Sequence, residues 1–415
     1  MTHRPARRAF HRAAAATTLA TGATLAAPAY VRAQSRKLKV GVVLPQSGYL
    51  AKLGQSCQMG ADIAPGILRD MLGVEIELMN TDFESKVEEA RSRSEKLINE
   101  GAQVLVGPFD SGAAAAMAQV AEQRKVPLVV NIAAAPQITE QGYQYTFRNF
   151  PSAIDLTRNG LALFRDLFQA TGTAPRTAVF MHVNDTFGTA SARAIGAILP
   201  KLDYLPFKVV ETISYDPAAR DLSVEVSKAK ATGADLVMLV CRLNDAIALT
   251  REMVKQRYNP MGLVSPGSPG MYEQAYYTTL GKYSEYAISN VPWYDPNAAM
   301  TRTVEAAMKK QFPKEQLPFH ALNVGFTVEA MLVAADAFKR AGSGDGPALA
   351  EALRKTHITD HMMLGGPIKF DAKGQNGGII SAAIQNRDRR PTVVLPKASA
   401  QKAPVFPMPE WTKRS

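Results

Sequence analysis

Short apolar runs alternate with longer mixed segments along almost the whole chain. Runs of strand length fall at Lys37–Leu44, 74–80, Val104–Val106, 128–132, 178–183, 207–213, Leu236–Val240, 263–265 and 286–290. Two of them, Val104–Val106 and Leu236–Val240, are continuously apolar, as strands buried on both faces are. The segments between them read as helices. One at 85–100 opens on a Ser cap, carries early acids and stops at Gly101; others run over 111–124 and 218–232, the last ending at Gly233. Pro65-Gly66 falls inside the first helical segment and predicts that it ends or kinks there. Further on come a long helix at 321–340, a shorter one at 347–356, a turn and strand at 365–371, late strands at 379–385 and 392–395, and an extended tail from Pro396 closing on Trp411. This alternation predicts an α/β protein with mainly parallel sheets covered by helices on both faces. The chain reads as two similar units with no short tandem repeat.

The N-terminus sets the compartment. Arg4, Arg7, Arg8 and Arg12 precede a weakly apolar stretch rich in Ala, Thr and Leu, and Val31-Arg32-Ala33 loosely fits a cleavage pattern. Residues 1–33 therefore read as a secretory signal peptide, and Arg7-Arg8-Ala9-Phe10 resembles a twin-arginine signal. No later segment reads as a membrane span. Removing this leader, with five arginines and no acid, lowers the net charge from +11 to +6. That mild excess is scattered and gives no argument for nucleic-acid binding. The run Arg387-Asp388-Arg389-Arg390 reads as a solvated edge. Two cysteines, Cys57 and Cys241, make no disulfide framework and read as buried free thiols.

Several motifs, taken in order, resemble one family. They are Lys39-Val40-Gly41-Val42-Val43-Leu44-Pro45-Gln46-Ser47-Gly48, Val106-Gly107-Pro108-Phe109-Asp110-Ser111-Gly112, Ala135-Pro136-Gln137-Ile138-Thr139, Thr146-Phe147-Arg148, Asn184-Asp185-Thr186-Phe187-Gly188, and Gly365-Gly366-Pro367-Ile368-Lys369-Phe370-Asp371. Together they resemble the type I periplasmic solute-binding proteins of ABC importers, the branched-chain amino-acid binding proteins in particular. The resemblance implies two α/β lobes, each a mainly parallel sheet flanked by helices, joined by three crossover hinge segments near 147–151, 291–296 and 365–368. Lobe 1 is then 37–149 plus 296–365, and lobe 2 is 150–292 plus 368–415. It also implies a periplasmic protein, monomeric by default, that captures a small molecule by hinge closure and delivers it to a membrane permease, with no cofactor and no catalysis.

Ligands of open parallel sheets bind beyond the carboxyl ends of the strands. Ser111 sits at such an end, where it would cap a helix starting at Gly112. The N–H groups of a helix start suit a carboxylate, and Gly112 would let a ligand approach the backbone. The loop at Ala133 and Ala134 would add backbone groups. The resemblance marks three departures: Ala134 stands where amino-acid binders carry Thr, Phe187 where they carry Tyr, and Gly267 where they carry the Glu that pairs with the ligand ammonium. A buried ammonium without an acceptor is costly. The expected ligand thus keeps a carboxylate and lacks an α-amino group, as an aromatic or other organic acid does. Phe187, Tyr49 and Leu53 would supply apolar walls, Phe187 being equally open to a core role. Arg242, at the end of Leu236–Val240, would grip the carboxylate; its other reading is a surface arginine paired with Asp245.

Other constellations have plainer readings. His357 and His361 have i, i+4 spacing but no accompanying Glu and lie past the end of a helix, so no metal site is assigned. Asp110-Ser111-Gly112 lacks the flanking glycines of a nucleophile elbow, and no phosphate-binding fingerprint follows a strand. Tyr272, Tyr276, Tyr277, Trp293 and Tyr294 are candidates either for the hinge side of the cleft or for packing. The rival readings are a ligand-sensing module of a receptor or regulator on the same fold and, further off, a secreted α/β hydrolase.

Overall fold

The computed structural model describes residues 37–414, so the signal-peptide assignment to residues 1–33 lies outside the described residues. The chain opens with β1 (Lys37–Leu44), α1 (Ala51–Leu72), β2 (Glu75–Asp82), α2 (Val87–Asn99), β3 (Val104–Val106), α3 (Ser111–Arg124), β4 (Leu128–Val130) and β5 (Thr146–Arg148). These strands form a five-stranded parallel sheet in the order β2-β1-β3-β4-β5. There follow α4 (Ala153–Thr171), β6 (Thr177–Val183), α5 (Thr186–Ile198), β7 (Lys208–Tyr215), α6 (Ser223–Ala231), β8 (Leu236–Val240), α7 (Leu243–Lys255), β9 (Gly262–Ser265), α8 (Gln274–Leu280) and β10 (Ile288–Pro292). The chain then returns to the first sheet with α9 (Ala299–Gln311), α10 (Leu317–Ala341) and α11 (Gly346–Arg354), and α9 and α10 pack on α1. It ends with β11 (Ser381–Arg387) and β12 (Arg390–Leu395). The second sheet has seven strands in the order β12-β11-β10-β9-β8-β6-β7, parallel except where β11 meets β10 and β12.

Several sequence expectations need correction. The first helix continues through Pro65 to Leu72 and stops at Gly73 in the left-handed region. Proline there forfeits one backbone hydrogen bond, and the burial of Ala61, Ala64, Ile67 and Leu68 around it outweighs that loss. Ser85 does not cap α2. It sits at a φ of 59°, and its hydroxyl accepts from the Leu50 N–H (3.1 Å) and donates to the Ser47 carbonyl (2.7 Å), tying together the loops after β1 and β2. The helix expected at 218–232 begins only at Ser223. Residues 368–371 form no strand of either sheet, only isolated bridges such as Ile358 with Ile368 and Phe370 with Asn376. The basic run 387–390 is the tight turn of the β11–β12 hairpin, with Asp388 and Arg389 both at positive φ.

α10 also corrects the expectation that no segment past the leader could span a membrane. Its 25 residues pass by length and composition, yet 94% of its most apolar window is buried in the protein. A helix that is apolar all round is a core helix in a folded domain.

The chain passes between the sheets after β5, after β10 and before β11, and the last two passages meet on either side of Leu364. The Leu364 N–H donates to the Trp293 carbonyl (2.7 Å), and the Ile380 N–H to the Leu364 carbonyl (3.1 Å). Residues 367–377 leave this junction and fold back on the first sheet, where Asn376 N–H bonds the Arg148 carbonyl (3.0 Å) at the end of β5. Passage into the second sheet thus comes after Asn376, beyond the 365–368 expected. Glu329 of α10, fully buried, fastens the junction: it accepts from the Met362 and Met363 N–H groups (both 3.0 Å) and from the Asn149 carboxamide (3.0 Å).

Candidate ligand cleft

The carboxyl ends of β1, β3 and β4 face those of β6, β8 and β9 across a cleft. At the first wall, α3 begins after the tight loop that follows β3. Asp110, not Ser111, caps it: its carboxylate accepts from the Ala113 N–H at 2.9 Å, while Ser111 is the first helical residue. Asp110 holds the extended backbone that a cap requires, and this leaves Ser111 fully buried, its hydroxyl accepting from the Ala135 N–H at 3.3 Å. A Cβ at Gly112 would lie 3.0 Å from Val87 and 3.4 Å from Thr186. The peptide groups of Ala133 are likewise engaged, its N–H by Pro108 and its carbonyl by the Arg148 guanidinium. Arg148, fully buried, also donates to the Ala135 carbonyl (2.7 Å) and Thr139 hydroxyl (3.1 Å), which fixes the loop after β4.

The second wall is built the same way. Asp185 caps α5 by accepting from the Gly188 N–H at 2.8 Å. Arg242 stands at the start of α7, where its own N–H donates to both Asp245 oxygens (3.0 and 3.1 Å). Ser268 accepts from the Cys241 N–H (3.0 Å) and bonds Ser265 (2.8 Å), binding the ends of β8 and β9 together. Gly270 lets that second loop cross the Arg242 backbone, because a Cβ there would meet the Arg242 carbonyl at 2.4 Å.

Arg242 is buried, which removes the surface reading. Its guanidinium donates to Asp185 and, across the cleft, to Asp110 at 3.2 Å, and it lies over the Phe187 ring at 5.1 Å. Burial opposes its charge, but Asp185 and Asp110 more than offset this and hold it protonated. Burial raises the pKa of Asp110, with Arg242 pulling the other way. A second link crosses the cleft at its mouth, where the Asn244 carboxamide donates to the Tyr49 carbonyl at 3.0 Å. Both terminal nitrogens of the guanidinium hold protein carboxylates.

Behind this clasp lies a small cavity of about 30 Å³. Of the residues expected at the site, Leu53, Ala134, Phe187, Arg242 and Gly267 line it. Tyr49 lines an adjoining crevice with Leu53 and Arg242 and is 44% exposed. Ser111, Gly112 and Ala133 support the wall without lining the cavity. Sequence reasoning missed Phe109, Phe150, Pro269, Leu322 and Asn323, and Ile132 joins the lining from the loop it did single out. Leu322 and Asn323 arrive on α10, far along the chain, and the one signal for them was an Asn inside that helix's apolar run.

The remaining candidates sit elsewhere. Tyr272 packs edge-on against Trp293 at 5.1 Å, Tyr276 bonds Thr250, and Tyr277 bonds Asn386, so these buried rings pack the protein rather than line the cavity. Residues 357–361 are not helical; His357 is exposed, while His361 turns both ring nitrogens inward, to Glu329 (3.1 Å) and the Gly366 carbonyl (2.9 Å). Among the described residues no cluster has the make-up of a metal site. Both cysteines are buried and free.

Two parallel-dominated α/β layers clasped over a small cavity define a two-lobed solute-binding protein. The chain belongs to the periplasmic binding protein family, whose sequence profile matches residues 37–383, and within it to the type I, branched-chain amino-acid group. Leu/Ile/Val-binding protein homolog 8 of Brucella suis is 24% identical over 397 residues, 91% of this chain and 95% of that protein. The structure of the leucine-binding protein LivK from Thermotoga maritima matches with a TM-score of 0.73 at 21% identity, over 86% of this chain and 97% of that one. A solute-binding protein of an ABC transporter from R. palustris, solved with benzoate, matches with a TM-score of 0.72 at 19% identity, over 88% and 98%. The protein is the substrate-binding component of an ABC transporter, a class that works in the periplasm with a small-molecule ligand and a membrane permease.

Proposed function

We propose that this protein captures a small carboxylate with an apolar body and no α-amino group, an aromatic acid being the best fit. The observation that carries the reading is the make-up of the cavity wall. Arg242 is its one charged lining residue, and no carboxylate lines it to receive an ammonium. The other walls, including Phe109, Phe150, Phe187 and Leu322, suit a flat apolar body. The benzoate held by the R. palustris neighbour supports the same class. A ligand carboxylate would take one of the guanidinium positions now held by Asp110 or Asp185, with Arg242 serving as a bidentate anchor.

The lobes of this reading are 37–149 plus 296–376 and 150–292 plus 381–414, closing about the three crossovers. Export through the leader at 1–33 and delivery by a monomer to its permease complete the proposal. Calorimetric titration of the mature protein tests it. Benzoate-type acids should bind, and Arg242→Ala should weaken them at least about tenfold, the loss of one charge-assisted anchor. Tight leucine or valine binding without binding of aromatic acids would overturn it. The double engagement of Arg242 favours a second reading, a neutral apolar ligand, and benzamide binding in preference to benzoate would decide for it.

A further inference from the structure

Asn323 is a polar residue set in the wall of this cavity, and the protein gives its carboxamide nothing to bond. It sits on α10, 2% exposed, between Leu322 and Val324, and lines the cavity together with Leu322 and Phe109. Only its backbone carbonyl is used, accepting from the Thr327 hydroxyl at 2.6 Å. Among the described residues the side chain has no hydrogen-bond partner, although its neighbours are bonded: Thr327, one turn on, also accepts from the Asn131 carboxamide at 2.9 Å. A carboxamide that opens on an apolar cavity without a protein partner is costly to keep, and its immediate neighbours on α10, Leu322 and Val324, are apolar. Leucine would pack there better, so the carboxamide answers to something in the cavity.

Resting on the proposed ligand class, we infer that Asn323 determines specificity by hydrogen bonding to a polar substituent of the ligand, a hydroxyl or carbonyl remote from the carboxylate. Arg242 reaches the cavity from the lobe of β8 and Asn323 from the lobe of β1, so such a ligand is held at both ends and from both lobes. A site built to bond a ligand hydroxyl discriminates strongly against the analogue lacking it, because its own polar group is then stranded.

The test compares matched pairs on wild type and Asn323→Leu by calorimetry and thermal shift: benzoate against its 3- and 4-hydroxy derivatives, and benzamide against its hydroxy derivatives. Wild type should favour one hydroxylated member at least about tenfold. Asn323→Leu should bring that ratio close to one while keeping or improving affinity for the unsubstituted compound. A structural role would instead weaken both members together, and that result overturns the inference, as does an unchanged ratio. If the preference appears and is lost only in the benzamide pair, Asn323 keeps its role and the carboxylate reading fails. If benzoates bind with no hydroxyl effect in either protein, the carboxylate reading stands and the role of Asn323 falls. Absence of binding by every probe overturns both.

Discussion

Glu273 sits in an environment that its residue type does not prefer. It is buried at the start of α8, one carboxyl oxygen has no partner, and burial alone pushes its pKa up to about 8. At neutral pH the native state therefore holds a proton that the unfolded chain, titrating near 4.5, has released. Stability from this group is complete below the unfolded value and is lost as pH rises through about 8, a change of order a few kcal/mol. Urea unfolding from pH 5 to 9 should show a downward slope that Glu273→Gln removes. A slope of equal size in the variant would assign it to other groups. Asp110 shows the limit of reading a motif. Its position in the loop after β3 was plain, but Ser111 was credited with the cap, because residue type alone does not tell which of two adjacent caps adopts extended backbone.

At the level of elements, α1 tests how far packing overrides propensity. Pro65 costs it a backbone hydrogen bond, yet the helix holds its course between β1 and α10. Pro65→Ala should restore that bond and raise the melting temperature by a few degrees, reflecting about 1 kcal/mol or more. A fall would mean that the ring's own packing outweighs the lost bond. The strands were the most legible elements. β1, β3 and β8 have the limits that the sequence predicts, and in β3 and β8 burial on both faces leaves no polar interruption. Residues 368–371 misled for the same reason: the pattern is strand-like, but the segment finds only isolated bridges and a ring contact between Phe370 and Phe147 at 5.3 Å.

At the scale of the whole molecule, the Asp110–Arg242–Asp185 triad and the Asn244–Tyr49 bond are what clasp the two walls at their mouth. A buried charged group that loses one partner is expensive to keep. Asp110→Asn should therefore shift the unliganded protein toward an open form, seen as a larger radius of gyration by small-angle scattering. An unchanged radius would show that packing around Phe150 and Phe326, whose rings meet at 4.8 Å, holds the lobes together instead.

By itself the sequence determined the α/β class, the run of strands and helices, and the family, because apolar periodicity and glycine-bearing loops are local properties written in consecutive residues. It also marked Leu53, Ala134, Phe187, Arg242 and Gly267, all on loops or helix starts just after strand ends. Only the tertiary structure decided which groups face one another across the cleft. Asp110 and Arg242 lie 132 positions apart, and Asn323 arrives from a helix that sequence alone reads as core. Such pairings depend on how two sheets are set against each other, and no spacing along the chain encodes that.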